Sequence, residues 1–142
     1  MKKVLVVDDD PVVARLVAAA LKEADVEHSL DYCSDGGQGR IKAAGGQYDL
    51  ITLDLAMPLV GGIEALDELK RNPRSARTPV IVVTALQDLA LHERVRAMGA
   101  ATVIQKPFEL WQLVDAVRLV FAGNKIRPGP GAGPDLGPLS ES

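Results

Sequence analysis

Val-Leu-Val-Val-Asp-Asp-Asp-Pro, VLVVDDDP at residues 4–11, decides the fold: four apolar β-formers, then three carboxylates, then a proline. A short, fully apolar, β-branched run is how a parallel strand buried on both faces reads. Asp10-Pro11 is a helix start, because the carboxylate can accept free backbone N–H groups and the proline stands where its missing N–H costs nothing. The same change of character recurs down the chain. LITL at 50–53 gives way to Asp54, VIVV at 80–83 to Thr84, and TVIQ at 102–105 to Lys106. Parallel strands side by side present their C-terminal ends along one edge, and ligands bind at that edge in open α/β sheets. The pattern therefore predicts that Asp8, Asp9, Asp54, Thr84 and Lys106 converge.

Working outward, helices fill the intervals. Val13, Leu16, Val17, Ala20 and Leu21 repeat at helical spacing and form one apolar stripe. A strand is predicted near 28–33, a glycine-interrupted helix near 36–45 and a strand over 49–54. Pro58 with Gly61-Gly62 marks a turn before a helix carrying Ile63, Leu66 and Leu69. Pro79 introduces the fourth strand. Leu91, Val95 and Met98 share a face of the next helix, which Gly99 ends. After the strand at 102–105, Pro107 opens a helix from about 108 to 121, with Leu110, Leu113, Val114, Val117 and Val120 inward and Trp111 and Leu119 at its flank or outside. Five βα units with right-handed crossovers result.

Composition narrows the function. The 142 residues are 47% hydrophobic and carry a net charge of −3, which suits one ordinary domain and lacks the basic footprint of a nucleic-acid binder. Cys33 is the single cysteine, so no intrachain disulfide forms, and it reads as a packed thiol in a reduced compartment. No signal peptide or membrane span is evident, and a cytoplasmic location is expected, with neither direct DNA binding nor membrane insertion. Residues 1–122 read as the domain. Residues 123–142 hold nine Gly or Pro among 20 positions and read as an extended tail unable to form a core. Twenty residues are also too few for an output domain, so a stand-alone unit is expected.

Charge then selects the chemistry. Ionised Asp8, Asp9 and Asp54 near Lys106 leave two negative charges (3 − 1), which one divalent cation cancels. Oxygen donors of this kind suit magnesium, which keeps waters and accepts phosphate oxygens. A carboxylate can attack phosphorus to form an aspartyl phosphate. Asp54, on the central strand of the set, is the best nucleophile candidate. Taken singly, each residue is ordinary: a strand-end aspartate is commonly a helix cap, and a lone lysine is commonly solvated. His28 and His92 have no acidic or cysteine neighbours at ligand spacing and receive no role.

VDDDP at 7–11, LDLAMPLVGG at 53–62, VVTA at 82–85 and KPF at 106–108 resemble, in identity, order and spacing, the receiver domains of two-component response regulators. The resemblance covers residues 1 to about 122. It implies a flavodoxin-like, doubly wound five-stranded parallel sheet of order 2-1-3-4-5 with five helices. It also implies a phospho-acceptor signalling domain that catalyses only its own phosphorylation and dephosphorylation. By that resemblance Asp54 receives a phosphoryl group from a sensor histidine kinase or histidine phosphotransfer protein. Asp9, Asp54 and the carbonyl of Ala56 ligate magnesium, Asp8 acts largely through water, and Thr84 and Lys106 contact phosphoryl oxygens. The family's cis peptide before the proline of KPF falls here at Lys106-Pro107. A downstream partner is expected on the fourth helix, fifth strand and fifth helix, with Trp111 as a candidate anchor, or the protein passes its phosphoryl group along a phosphorelay.

Three positions depart from the family pattern. Val103 stands where an aromatic ring usually swings inward, so activation is expected to travel through the backbone of residues 84–92 or to shift populations only modestly. Ala56 and Leu86 cannot position an attacking water, which predicts slow self-hydrolysis. Gly61 replaces a frequent Asp, and Gly61-Gly62 is expected to loosen its turn. Two other classes share parts of this chemistry. A haloacid dehalogenase-type phosphatase also uses an aspartyl phosphate, but it places its nucleophile before the acidic pair. A flavodoxin would need a phosphate loop after the first strand. A constitutive protein-binding module is the remaining alternative.

Overall fold

The computed structural model describes residues 1–57 and 61–122. The predicted turn at Pro58 and the tail at 123–142 lie outside the described residues. Among the described residues, strands and helices alternate: β1 (Lys2–Val7), α1 (Pro11–Glu23), β2 (His28–Cys33), α2 (Gly36–Gly45), β3 (Leu50–Leu53), α3 (Gly62–Arg71), β4 (Val80–Thr84), α4 (Leu89–Ala97), β5 (Thr102–Gln105) and α5 (Leu110–Ala122). The strands pair in parallel in the order β2-β1-β3-β4-β5, as predicted. None of the described helices is long and apolar enough to cross a membrane.

Alternation along the strands divides the interior into two layers. Leu5 and Val7 of β1, with Ile51, Leu53, Val80 and Val82, face a core completed by Ala43, Leu66, Leu69 and Val95 from α2, α3 and α4. Val4 and Val6, with Leu50, Ile81, Val83 and Ile104, face Val13, Val17, Leu21, Leu113 and Val117 from α1 and α5. Both faces of the sheet are therefore covered, which is why these strands lack a polar side. Fully burying each such aliphatic side chain stabilises the fold by roughly 1.5–3 kcal/mol before entropy is subtracted.

Helix starts follow local chemistry. Asp10, Asp35 and Asp88 accept backbone N–H groups of Val12 at 3.0 Å, Gln38 at 2.8 Å and Ala90 at 2.9 Å. Gly99, with φ +110°, follows α4 in a conformation that a side chain would strain.

Two expectations for the last helix are corrected. It starts at Leu110 rather than 108, because Glu109 acts as its cap, its N–H donating to Gln112 Oε1 at 2.8 Å. Starting there leaves Leu110 36% exposed instead of inward, while Leu113, Val114 and Val117 are buried together with Ala116 and Asp115. Trp111 and Leu119 are half-buried, at the flank of that stripe.

Candidate active site at the sheet edge

Backbone pairing that runs one residue beyond each strand places the predicted groups. Asp8 N–H donates to the Cys33 carbonyl at 3.0 Å, Asp54 N–H to Val7 at 3.0 Å, and Lys106 N–H to Thr84 at 2.8 Å. Asp8, Asp54, Thr84 and Lys106 thus close the ends of four adjacent strands. Their side chains inherit the rigidity of the sheet.

Lys106 joins two of the carboxylates. Its Nζ lies 2.9 Å from Asp8 Oδ2 and 3.3 Å from Asp54 Oδ2. The second oxygen of each acid accepts a backbone N–H two residues on, Asp10 to Asp8 Oδ1 at 2.9 Å and Ala56 to Asp54 Oδ1 at 3.1 Å. Asp9 is exposed, yet it offers an oxygen that lies, with those of Asp8 and Asp54, inside a group spanning no more than 4.8 Å. Three hard oxygen donors against one ammonium group match a divalent cation such as magnesium. Ala56 is exposed beside them.

Burial sets the electrostatics. Asp8 is 1% exposed, and desolvation pushes its carboxyl above the usual carboxylate range despite the N–H of Asp10 and the charge of Lys106, with Asp54 adding to the rise. Burial works against the Lys106 charge, but Asp8 and Asp54 outweigh it and hold the ammonium above its ordinary value. Burial thus decides the direction for Asp8, whereas the two carboxylates decide it for Lys106, whose side chain is 21% exposed.

Thr84 is fully buried, and its Oγ1 accepts the Leu86 N–H at 3.2 Å. It is therefore at the edge as predicted, with its hydroxyl engaged by the following loop. The Lys106-Pro107 bond is cis, as the resemblance implied. Val103 is half-buried against the α2–α3–α4 core layer.

Two contributors escaped the sequence reading. Gly62 was expected to loosen a turn, but it packs directly on the site strand: a Cβ there would lie 2.3 Å from Leu55 Cα and 2.4 Å from the Asp54 carbonyl oxygen. Its smallness lets α3 approach Asp54 closely. His92, given no role from sequence, is buried and its Nε2 lies 2.7 Å from the Leu86 carbonyl. Its position three residues before Val95, on the buried stripe of α4, was the available signal.

Known proteins agree with this geometry. Residues 4–118 match the Response regulator receiver domain family. The chain is 33% identical over 123 residues to the response regulator ArlR of Staphylococcus saprophyticus, covering 85% of this chain and 53% of ArlR. It is 32% identical over 123 residues to a probable chemotaxis protein CheY of Rhizobium etli, covering 87% of this chain and 95% of CheY. It thus spans about half the length of ArlR and nearly all of CheY. Among solved structures, it resembles the receiver domain of a sensor histidine kinase from Pseudomonas aeruginosa, crystallised with a magnesium ion coordinated in its active-site cleft. That likeness has a TM-score of 0.72 at 25% identity and covers 85% of this chain and 98% of the other. Nothing in the fold or these matches favours the phosphatase or constitutive-binding alternatives. With its sheet order, its acidic edge and a profile match over most of its length, the chain belongs to the response regulator receiver family, the phospho-acceptor signalling domains of two-component systems.

Proposed function

We propose that Asp54 is the phospho-acceptor and that Asp8, Asp9, Thr84, Lys106 and the Ala56 carbonyl complete its site. The observation that carries this reading is the Lys106 ammonium set between Asp8 and Asp54 while three carboxylates share one small volume. A carboxylate oxygen of Asp54 attacks the phosphorus of a phosphohistidine on a sensor histidine kinase or phosphotransfer protein. The oxygen–phosphorus bond forms, the phosphorus–nitrogen bond breaks, and the imidazole leaves on the donor. Asp9, Asp54 and the Ala56 carbonyl would hold magnesium, with Asp8 acting through water, and the bound ion would supply positive charge toward the phosphoryl oxygens. Lys106 supplies a second, fixed positive charge, already oriented by Asp8. Thr84 offers to another phosphoryl oxygen its hydroxyl proton, which accepting the Leu86 N–H leaves unused.

Output follows by phosphorylation-dependent binding of a downstream protein on α4, β5 and α5, with half-buried Trp111 on that face, or by onward transfer of the phosphoryl group. We assign residues 1–122 to the receiver, residues 123–142 to an appended tail, and the protein to the cytoplasm. Intact mass after incubation with acetyl phosphate tests the acceptor assignment. Wild type gains one labile phosphoryl group only with magnesium, and Asp54→Asn gains none. Equal gain in Asp54→Asn refutes it.

A further inference from the structure

Thr84 and α4 are joined by a hydrogen-bonded relay through a single residue, Leu86. Its N–H donates to Thr84 Oγ1 at 3.2 Å, and its carbonyl lies 2.7 Å from His92 Nε2. A carbonyl can only accept, so Nε2 carries the proton and donates. His92 is fastened to the same loop a second time, its backbone N–H donating to the Asp88 carbonyl at 3.0 Å. Asp88 in turn caps α4 through Ala90 and Leu91. The loop between β4 and α4 is thus held by Thr84 at one end and by His92 at the other.

We infer that His92 is a positioning residue that transmits the state of Thr84 to α4, in place of the ring that Val103 cannot supply. This rests on the proposed acceptor role of Asp54. When the Thr84 hydroxyl turns to a phosphoryl oxygen, Leu86 either loses the acceptor of its N–H or follows it. In both cases the Leu86 peptide units move, and the carbonyl that His92 holds moves with them. The imidazole is buried, so leaving it without that acceptor is costly, and the helix carrying it shifts instead. Among the described residues of α4, His92 and Val95 are the buried ones and Leu91 packs partly against the same core layer, so His92 is one of few side chains that fix the helix. A buried histidine satisfied by a nearby carbonyl is common. Here the carbonyl belongs to the residue whose N–H the proposed phosphoryl sensor holds, which is what makes the pair a coupling element.

Amide spectra of the isotope-labelled full chain, with and without magnesium and beryllofluoride as the phosphoryl mimic, test this. In wild type, signals of Asp8 and of residues 54–56 shift on loading, and so do those of residues 88–97 and the His92 ring nitrogen. His92→Leu keeps the site shifts and loses those of α4, and His92→Gln, which retains a donor, regains them. An α4 response in His92→Leu equal to wild type overturns the inference, as does a wild-type His92 ring signal unchanged while the site loads. That ring signal decides the matter even where a variant fails to fold. Absence of any shift at the site amides instead refutes the acceptor reading, and the inference falls with it.

Discussion

Replacing Gly62 by alanine adds one methyl group where the chain has no room. The new Cβ would lie 2.3 Å from Leu55 Cα, 2.4 Å from the Asp54 carbonyl oxygen and 3.0 Å from its carbon, whereas ordinary contact begins near 3.4 Å. All three atoms are backbone, so no side chain can rotate away, and either α3 or residues 54–55 must move by about 1 Å. Overpacking of this kind costs roughly 1–3 kcal/mol, and alanine's better helix propensity returns at most about 1 kcal/mol. A net loss of about 1–2 kcal/mol lowers the urea midpoint by about 0.5–1 M. The function is hit harder. A 1 Å displacement of a reacting group can cost about 10²-fold in rate, so phosphorylation by acetyl phosphate, followed by intact mass, slows by up to that factor. Gly61→Ala is the control. Its Cβ meets nothing closer than Glu64 Oε1 at 3.6 Å, and its φ of −68° suits any residue. A Gly62→Ala protein with the wild-type urea midpoint and phosphorylation rate would refute the close-approach reasoning.

Exposed Ala56 and 38% exposed Leu86 offer no group to orient a water, so the aspartyl phosphate should be long-lived and Ala56→Asn or Leu86→Glu should shorten it. Unchanged decay of the phosphorylated mass in both variants counts against this. Burial pushes the Cys33 thiol up, so less thiolate exists at pH 8 than in an exposed cysteine, and alkylation by iodoacetamide should keep pace with unfolding. Rapid labelling of the native protein would contradict it. For Asp8, whose folded-state pKa is raised above 3.8, the folded protein binds the proton more tightly than the unfolded chain. Its contribution to metal-free stability therefore falls as pH rises through the window between 3.8 and the raised value. Urea melts from pH 7 to 4 should show wild type gaining on Asp8→Asn; the reverse trend would sink the assignment.

Most of the architecture was legible because its signals are local. Apolar runs ending in polar residues located four of the five strands of the described sheet, β2 being the exception, and the Asp10-Pro11 start located α1, whereas the Asp35 cap of the glycine-rich α2 emerges only in the structure. The site was legible for the same reason, since a strand end fixes where its next residue lies. What stayed hidden depends on distant contacts. Leu110 fits the apolar period of α5 but emerges exposed because the cap at Glu109 places it in the first turn. Asp115 is buried between apolar neighbours, which no periodicity of apolar residues can announce. Gly62 reads as flexibility until Leu55 and Asp54 are seen against it, and His92 reads as an idle imidazole until Leu86 supplies its acceptor.

The opposite edge of the sheet has its own use. Lys2, at the start of β1, lies 5.4 Å from the ring centroid of Phe121, near the end of α5. The beginning and end of the described domain therefore emerge together, six strand residues, or about 20 Å, away from the carboxylates at the far end of β1. A short flexible bridge can join residue 122 to residue 2, and the chain can be reopened elsewhere without breaking the sheet. Probes or immobilising tags attached at this edge leave the carboxylate end of the sheet clear, so the proposed phosphoryl transfer can be tested on a tethered protein.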